Sequence, residues 1–193
     1  VLEGKIYDKS MNDIKYFITQ NHDDHDKIES FLANVDGEFY LYLIDSEKNQ
    51  INVYGDHLNR LPLYYGKSDN RWIVTRNIGH AIDFLSSKII DVNLAEYLVF
   101  GFNLKERTIY SDISSLQMED NIEINLKTSS LLTVKKRNLY NLSEKKIVDF
   151  SPALLKQLKD LFVEACRNRA DENNVLSLSG GLDSRAEIGR AHV

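Results

Sequence analysis

The sequence predicts an α+β sandwich of antiparallel sheets, followed by the first helix and strand of a second, α/β domain. The sandwich is predicted by strand-like runs that polar turns connect between residues 38 and 76. The second domain is predicted by an apolar helical stripe after Ser151 and by an apolar run that enters the string "SGGLDS". A polar and charged stretch, residues 143–150, is the expected linker.

Composition limits the function classes. The chain has 193 residues with 42% hydrophobic content and a formal net charge of −5, which allows a buried core. The basic runs are short and lie beside acids or asparagines, so we expect no nucleic-acid partner. No apolar run approaches the roughly 20 residues of a membrane span, so we expect no membrane partner. A single cysteine, Cys166, excludes an internal disulfide and favours a cytoplasmic location, and we assign it to the core.

The N-terminal part contains four predicted strands, and short polar turns favour an antiparallel meander. The runs are "EFYLYLID", "INVYGD", "LPLYYG" and "RWIVT". Apolar periodicity predicts helices over Ile78–Leu85 and residues 94–100, the second ended by Gly101. The runs "NIEINL" and "LLTVKK" predict a later hairpin.

The C-terminal part begins with a predicted helix that Ser151 caps and Pro152 starts. The run "VLSL", residues 175–178, predicts a buried strand that enters a glycine loop, and the next helix is expected near Leu182. Ligands of α/β sheets bind at this end of a strand. The order of elements therefore predicts a binding loop at residues 179–184.

This loop has the composition of a phosphate site. Adjacent glycines let backbone N–H groups close around a phosphate, while two serines and a helix N-terminus add further donors. The lysine of the common P-loop is absent, and a plain strand-to-helix turn is the alternative. We favour phosphate binding, and the residues predicted to take part are Ser179, Gly180, Gly181, Leu182, Asp183 and Ser184.

A second cluster of polar residues has two interpretations. The run "NHDDHD", residues 21–26, and the pair Asp56 and His57 contain side chains that could bind a divalent ion. A solvated loop in which Asp26 caps a helix over "KIESFL" is the interpretation we favour.

Several motifs resemble one family in the same order. "SGGLDS" resembles the pyrophosphate loop of ATP pyrophosphatases, and "LSGGLDS" is similar to its form in the asparagine synthetase (glutamine-hydrolysing) family. "VDGEFYLYLID" resembles that family's "L-x-G-x-F-A-F-x-L-Y-D", and "GDHLNRLPLYYG" resembles its "R-D-x-x-G-x-x-P-L-Y-Y". "TRNIGHAIDFL" falls where the family has an "S-E-x-K-A-L" helix. The resemblance covers about residues 4–185.

The resemblance implies a domain organisation. Residues 1–142 would form a class II glutamine amidotransferase domain of the Ntn-hydrolase fold, with its N-terminus missing. Residues 151–186 would be the truncated start of the synthetase's ATP-binding domain, after the linker at 143–150. The last segment, "EIGRAHV" at 187–193, corresponds to the translation of a widely used sequencing adapter, so we expect it not to belong to the protein.

The resemblance also implies an activity. The parent enzyme would be a carbon–nitrogen ligase that adenylates an aspartate-like carboxylate with ATP and Mg²⁺. It would then transfer nitrogen from glutamine or ammonia, releasing AMP and pyrophosphate. The loop at 179–184 would hold the pyrophosphate, Asp183 would help to hold Mg²⁺, and Asp36 would bind the amino group of glutamine. The expected partners are these small molecules, and a homodimer is compatible with the family.

The chain departs from the family at the glutaminase site. The family's catalytic cysteine at the mature N-terminus is absent, so we expect no catalytic residue in this chain. Glu3 and Lys5 stand where the family has glutamine-holding Asn and Glu, Gly55 replaces an arginine, and Asn59 replaces a glycine. The changes at Glu3, Lys5 and Gly55 favour one alternative, an amide-forming cyclase, for β-lactam or peptide rings, with a non-catalytic glutaminase domain. A purely structural or docking module is the second alternative.

Overall fold

The computed structural model of the chain describes residues 1–56, 58–69, 71–118, 120–127, 131–136, 149–170, 173, 175, 179 and 181–191. The chain divides into two compact units, Val1–Tyr140 and Asn141–Val193. None of the helices within the described ranges is long and apolar enough to cross a membrane.

The first unit contains two antiparallel sheets. The strands are β1 (Leu2–Ile6), β2 (Gly37–Asp45), β3 (Gln50–Gly55), β4 (Tyr64–Ser68), β5 (Arg71–Thr75), β6 (Ile113–Ser115), β7 (Asp120–Asn125) and β8 (Leu131–Lys136). One sheet has the order β1-β2-β3-β7-β8, and the other has the order β5-β4-β6. A mixed α/β unit with antiparallel sheets is therefore confirmed.

The four predicted strands are present as β2 to β5, but their arrangement as one meander is wrong. β2 pairs with β3 and β4 pairs with β5, whereas β3 and β4 lie in different sheets. The free edge of β3 is instead occupied by β7, a strand far along the chain. The predicted later hairpin is confirmed as β7 and β8.

Strand alternation divides the buried core into two clusters. One cluster lies where α1 (Met11–Gln20) and α2 (His25–Leu32) pack on the five-stranded sheet, and the other lies between the sheets. Successive β2 residues point to opposite faces, so Phe39 belongs to the first cluster and Tyr40 to the second. The remaining buried members of the first cluster are Ile28, Leu32, Val35, Leu41 and Tyr54, and those of the second are Val53, Leu63, Leu116 and Ile122.

Local capping sets the helix boundaries. α2 begins earlier than predicted, because the Asp24 carboxylate accepts from the Lys27 N–H at 3.0 Å, so Asp26 lies inside the helix and is not the cap. The helix α3 (Ile78–Leu85) has the predicted bounds. α4 (Asp91–Phe100) starts before residue 94 but ends as predicted at Gly101, whose φ is +78°.

Hydrogen bonds and an ion pair of Glu96 connect α4 to the segment that follows it. The Glu96 carboxylate accepts from the Asn103 side-chain amide and from the Leu104 N–H, both at 3.2 Å, and it pairs with the Arg107 guanidinium. Burial raises the pKa of Glu96, but these hydrogen bonds and the arginine charge outweigh that effect and lower it.

The second unit contains α5 (Pro152–Arg169) and α6 (Leu182–Ala191). The predicted cap of α5 is confirmed, since the Ser151 hydroxyl accepts from the Leu154 N–H at 3.2 Å, and α6 begins at the predicted residue. Cys166 is half-buried on α5 and not enclosed in a core. Most of the predicted strand, residues 176–178, and most of the predicted linker, residues 143–148, lie outside the described residues.

Candidate functional site

The backbone of Asp36, the predicted glutamine-binding residue, is held at the start of β2. Its carbonyl accepts from the Tyr7 N–H at 2.8 Å, and its own N–H donates to the Asp8 carboxylate at 3.0 Å. These two hydrogen bonds join the residue to the chain that follows β1. The position of Asp36 therefore depends on the pairing of β1 with β2.

Gly4 allows the two strands to approach closely. Its φ is +103°, and a Cβ atom there would lie 2.0 Å from the Glu38 carbonyl oxygen. Residues with side chains rarely adopt this conformation. Glycine at this position is therefore required for the pairing that holds Asp36.

Two residues of β1 that differ from the family motif have contacts within the chain. The Tyr42 hydroxyl donates to the Glu3 carboxylate at 2.9 Å. Burial of the phenol, together with this acceptor, raises the pKa of Tyr42. Lys5 lies opposite Glu38 in the β1–β2 pairing, and its ammonium lies 5.8 Å from the Tyr7 ring centroid. Both side chains thus contribute to local structure.

Asp56 organises the loop between β3 and β4. The residue is 1% exposed, and its carboxylate accepts from the Leu58 N–H at 3.1 Å and from the Arg60 N–H at 3.2 Å. The Nε of Arg60 also donates to it, at 3.2 Å. Such a carboxylate, surrounded by N–H donors, serves as a loop cap and not as a metal ligand.

The other acidic residues considered for a metal have similar structural contacts. Asp24 caps α2, and Asp23 accepts from the Lys48 ammonium at 2.6 Å. Within the ranges that the structure describes, no three His, Cys, Asp or Glu side chains converge as a metal site. His57 lies outside the described residues.

The residue types at positions 55 and 59 depend on each other, because the Asn59 side chain lies against Gly55. Asn59 adopts a left-handed conformation with φ of +46°, and its side-chain amide donates to the carbonyl oxygens of Gln117 at 2.5 Å and Asp120 at 3.0 Å. A Cβ at Gly55 would lie 1.9 Å from the Asn59 Oδ1. The two departures from the family motif are therefore coupled. The Asn59 side chain occupies the space that any residue larger than glycine would need at position 55.

Arg60 connects this loop to the segment that carries Asp36. Its Nη2 donates to the Gly37 carbonyl, and its Nη1 lies 3.6 Å from the Glu38 carboxylate. Sequence reasoning missed this residue. The sequence offered no clear signal, because Asp56 and Arg60 pair within a loop, where a spacing of four residues does not by itself bring opposite charges together.

The predicted phosphate loop brings two hydroxyls together. The Oγ atoms of Ser179 and Ser184 lie 2.8 Å apart, and Ser184 Oγ accepts from the Ser179 N–H at 3.2 Å. The Gly181 N–H donates to Ser179 Oγ, also at 3.2 Å. Ser184 is buried, whereas Leu182 and Asp183 are exposed in the first turn of α6. Gly180 lies outside the described residues.

Comparison with known proteins identifies the first unit. Residues 25–135, more than half of the chain, match the family described as "Glutamine amidotransferase domain". The chain belongs to this family. A search of curated proteins gives no match.

The amidotransferase match extends from α2 into β8, so it includes Asp36 and the loop that Asp56 organises. It supports glutamine-dependent amide transfer and an enzyme that acts on glutamine. Glu3 and Lys5 on β1 and the loop at 179–184 lie outside the matched range.

Proposed function

We propose that the chain is part of an asparagine synthetase-like, ATP-dependent amidotransferase, a carbon–nitrogen ligase. The observation that supports this proposal best is the presence, in one chain, of an amidotransferase domain and a serine–glycine turn at the start of α6. The first would obtain nitrogen from glutamine, and the second would bind ATP. The products would be an amide, AMP and pyrophosphate.

The residues at 179–184 fit a phosphate group. Serine hydroxyls donate to phosphate oxygens, and the first N–H groups of an α-helix lack partners within the helix. Ser179 and Ser184 would rotate their hydroxyls from each other toward the pyrophosphate of ATP, and the amides near Gly181 would donate to it. Asp183, exposed beside this turn, carries an oxygen ligand of the kind that Mg²⁺ prefers. The bound ion would neutralise the charge that develops on the pyrophosphate.

The amidotransferase domain would supply nitrogen through glutamine bound near Asp36. A carboxylate attracts the α-ammonium group of an amino acid, and the hydrogen bonds of Tyr7 and Asp8 hold the Asp36 backbone in place. An aspartate-like carboxylate would accept this nitrogen once it is activated as an acyl-adenylate.

The binding steps can be tested with the 193-residue chain. Titration with Mg²⁺–ATP or pyrophosphate should shift the amide NMR signals of residues 179–184, and Ser184→Ala should weaken this response. Ser151→Ala, which changes a serine at the start of α5, is the matched control and should leave it unchanged. Signals that do not move with either ligand would contradict ATP binding by the loop.

One observation favours a second function, an amide-forming cyclase with a non-catalytic glutaminase domain. The Glu3 carboxylate, in a position where the family holds glutamine, already accepts from the Tyr42 hydroxyl. A chain that responds to ATP but not to L-glutamine would support the cyclase, in which an internal amine replaces the external nitrogen donor.

A further inference from the structure

Polar side chains surround a small cavity where the start of α2 packs on β3 and β7. The polar residues around it are His25, Glu29, Asn52, Tyr54, Asn121 and Glu123. All of them are buried or half-buried. The space open to the centre of a water-sized sphere is about 10 Å³, and a bound water molecule needs about 10–15 Å³ of such space. The cavity therefore has room for one water molecule or for an ion of similar size.

Two polar contacts join α2 to the sheet at this cavity. The Asn121 Nδ2 donates to the Glu29 carboxylate at 2.8 Å, and the His25 Nδ1 lies 2.7 Å from the Tyr54 hydroxyl oxygen. Burial, followed by the charge of Glu29, raises the pKa of Tyr54, so the phenol keeps its proton. The first contact reaches β7 and the second reaches β3.

Two asparagines at the cavity each have a buried polar atom without a hydrogen-bond partner among the residues that the structure describes. Asn52 is 5% exposed, and its Oδ1 accepts from the Gln50 Nε2 at 3.1 Å, so its Nδ2 is the atom left over. Asn121 is 3% exposed, and because its Nδ2 donates to Glu29, its Oδ1 is left over. Buried polar atoms in proteins normally have a partner, often an ordered water. The cavity thus offers one unused donor and one unused acceptor.

We propose that this cavity binds one water molecule, which accepts a hydrogen bond from Asn52 Nδ2 and donates one to Asn121 Oδ1. A water molecule does both at once. The carboxylates of Glu29 and Glu123 attract cations, but a monovalent cation cannot accept from Asn52, and an anion cannot donate to Asn121. Because Asn121 also binds Glu29, the water completes a hydrogen-bonded chain that runs from β3 through β7 to α2.

The ¹⁷O relaxation dispersion of the solvent tests this proposal, because it detects water molecules that stay in the protein while it tumbles. The 193-residue chain is compared with the double variant Asn52→Leu, Asn121→Leu, in which side chains of similar size lack both unused atoms. We expect the double variant to lose one long-lived water molecule. Asn12→Leu makes the same change at an exposed position of α1 and is the matched control, which should lose none. A double variant that keeps every long-lived water would overturn the proposal.

A second measurement does not depend on the folding of the double variant. In the ¹⁵N-labelled chain, the side-chain amide protons of Asn52 should give a dipolar cross-peak to water in a rotating-frame Overhauser spectrum. The cross-peak should persist in Tyr54→Phe, which removes the exchangeable hydroxyl beside the cavity. Its absence from the unaltered chain, or its loss in Tyr54→Phe, would contradict a bound water.

Titration with salts distinguishes water from a cation. Addition of KCl or NH₄Cl, with tetramethylammonium chloride keeping the ionic strength constant, should leave the side-chain amide signals of Asn52 and Asn121 where they are. A saturable shift of these signals would overturn the proposal and would assign the cavity to a monovalent cation.

Discussion

The space shared by positions 55 and 59 predicts how substitutions at these positions change the free energy of unfolding. Gly55→Ala places a Cβ where the Asn59 Oδ1 now lies, at 1.9 Å, and 2.7 Å from a carbon of the buried Tyr40 ring. Asn59→Gly removes that Oδ1 and restores the residue that the family motif has. The two substitutions should therefore be less harmful together than their separate effects predict.

The magnitudes follow from the contacts. Overpacking at Gly55 should lower the free energy of unfolding by about 2 kcal/mol. Asn59→Gly loses hydrogen bonds to two carbonyl oxygens, each worth about 1 kcal/mol. The same substitution also stabilises the protein by up to about 1 kcal/mol, because glycine adopts the left-handed conformation of residue 59 more readily than asparagine does. In the double variant the overlap with Oδ1 is absent and only the Tyr40 contact remains, so the coupling free energy should be about 1–2 kcal/mol.

Urea unfolding of the four proteins in this cycle measures the coupling. The control replaces Asn59→Gly with Asn49→Gly, because Asn49 also has a positive φ, of 54°, but makes no contact with a Cβ at Gly55. The control pair should be additive to within about 0.5 kcal/mol. Additivity of Gly55→Ala with Asn59→Gly would refute the argument that their side chains share one space.

Three further substitutions test other parts of the structure. Gly4→Ala should destabilise the first unit by about 3 kcal/mol, because φ is +103° and the Cβ meets a carbonyl, and amide exchange of β1 should accelerate; unchanged exchange would contradict this. Ser151→Ala should lower the helix content measured by circular dichroism, since a lost N-cap costs about 1 kcal/mol; an unaltered spectrum would argue against the cap. The pKa of Glu96 is lowered from its ordinary value of 4.5, so its stabilisation is present above that pH and is lost as the pH falls below it. Glu96→Gln should therefore reduce the fall in melting temperature between about pH 5 and pH 3, and an equally steep fall would disprove the role of the carboxylate.

Local patterns predicted many elements, because alternation, helical periodicity and capping depend on residues close in sequence. The α3 helix has the predicted bounds, and Ser151 with Pro152 marks the start of α5 as expected. The hairpin of β7 and β8 follows from two alternating runs that lie close together in the sequence. The motifs also indicated the amidotransferase family that residues 25–135 match.

Pairing over long sequence distances was decided only by the tertiary structure. β1 is a short strand whose pairing with β2 depends on Gly4 and Glu38, residues that no local pattern connects. The edge of β3 pairs with β7, so a run that resembled one meander belongs to two sheets. Local sequence does not encode which distant strand will occupy a free edge.

In the candidate site, too, some features were predicted from the sequence and others were decided only by the tertiary structure. Residue types and motifs predicted Asp36 and the serine–glycine loop as site residues, because the chemistry of these residues is visible in the sequence itself. The coupling of Gly55 with Asn59, and the reach of Arg60 to the Gly37 carbonyl, depend on how the β3–β4 loop folds back on β2. Side-chain direction and backbone approach arise from the packed fold, so the sequence determined which groups are present and the tertiary structure decided which of them meet.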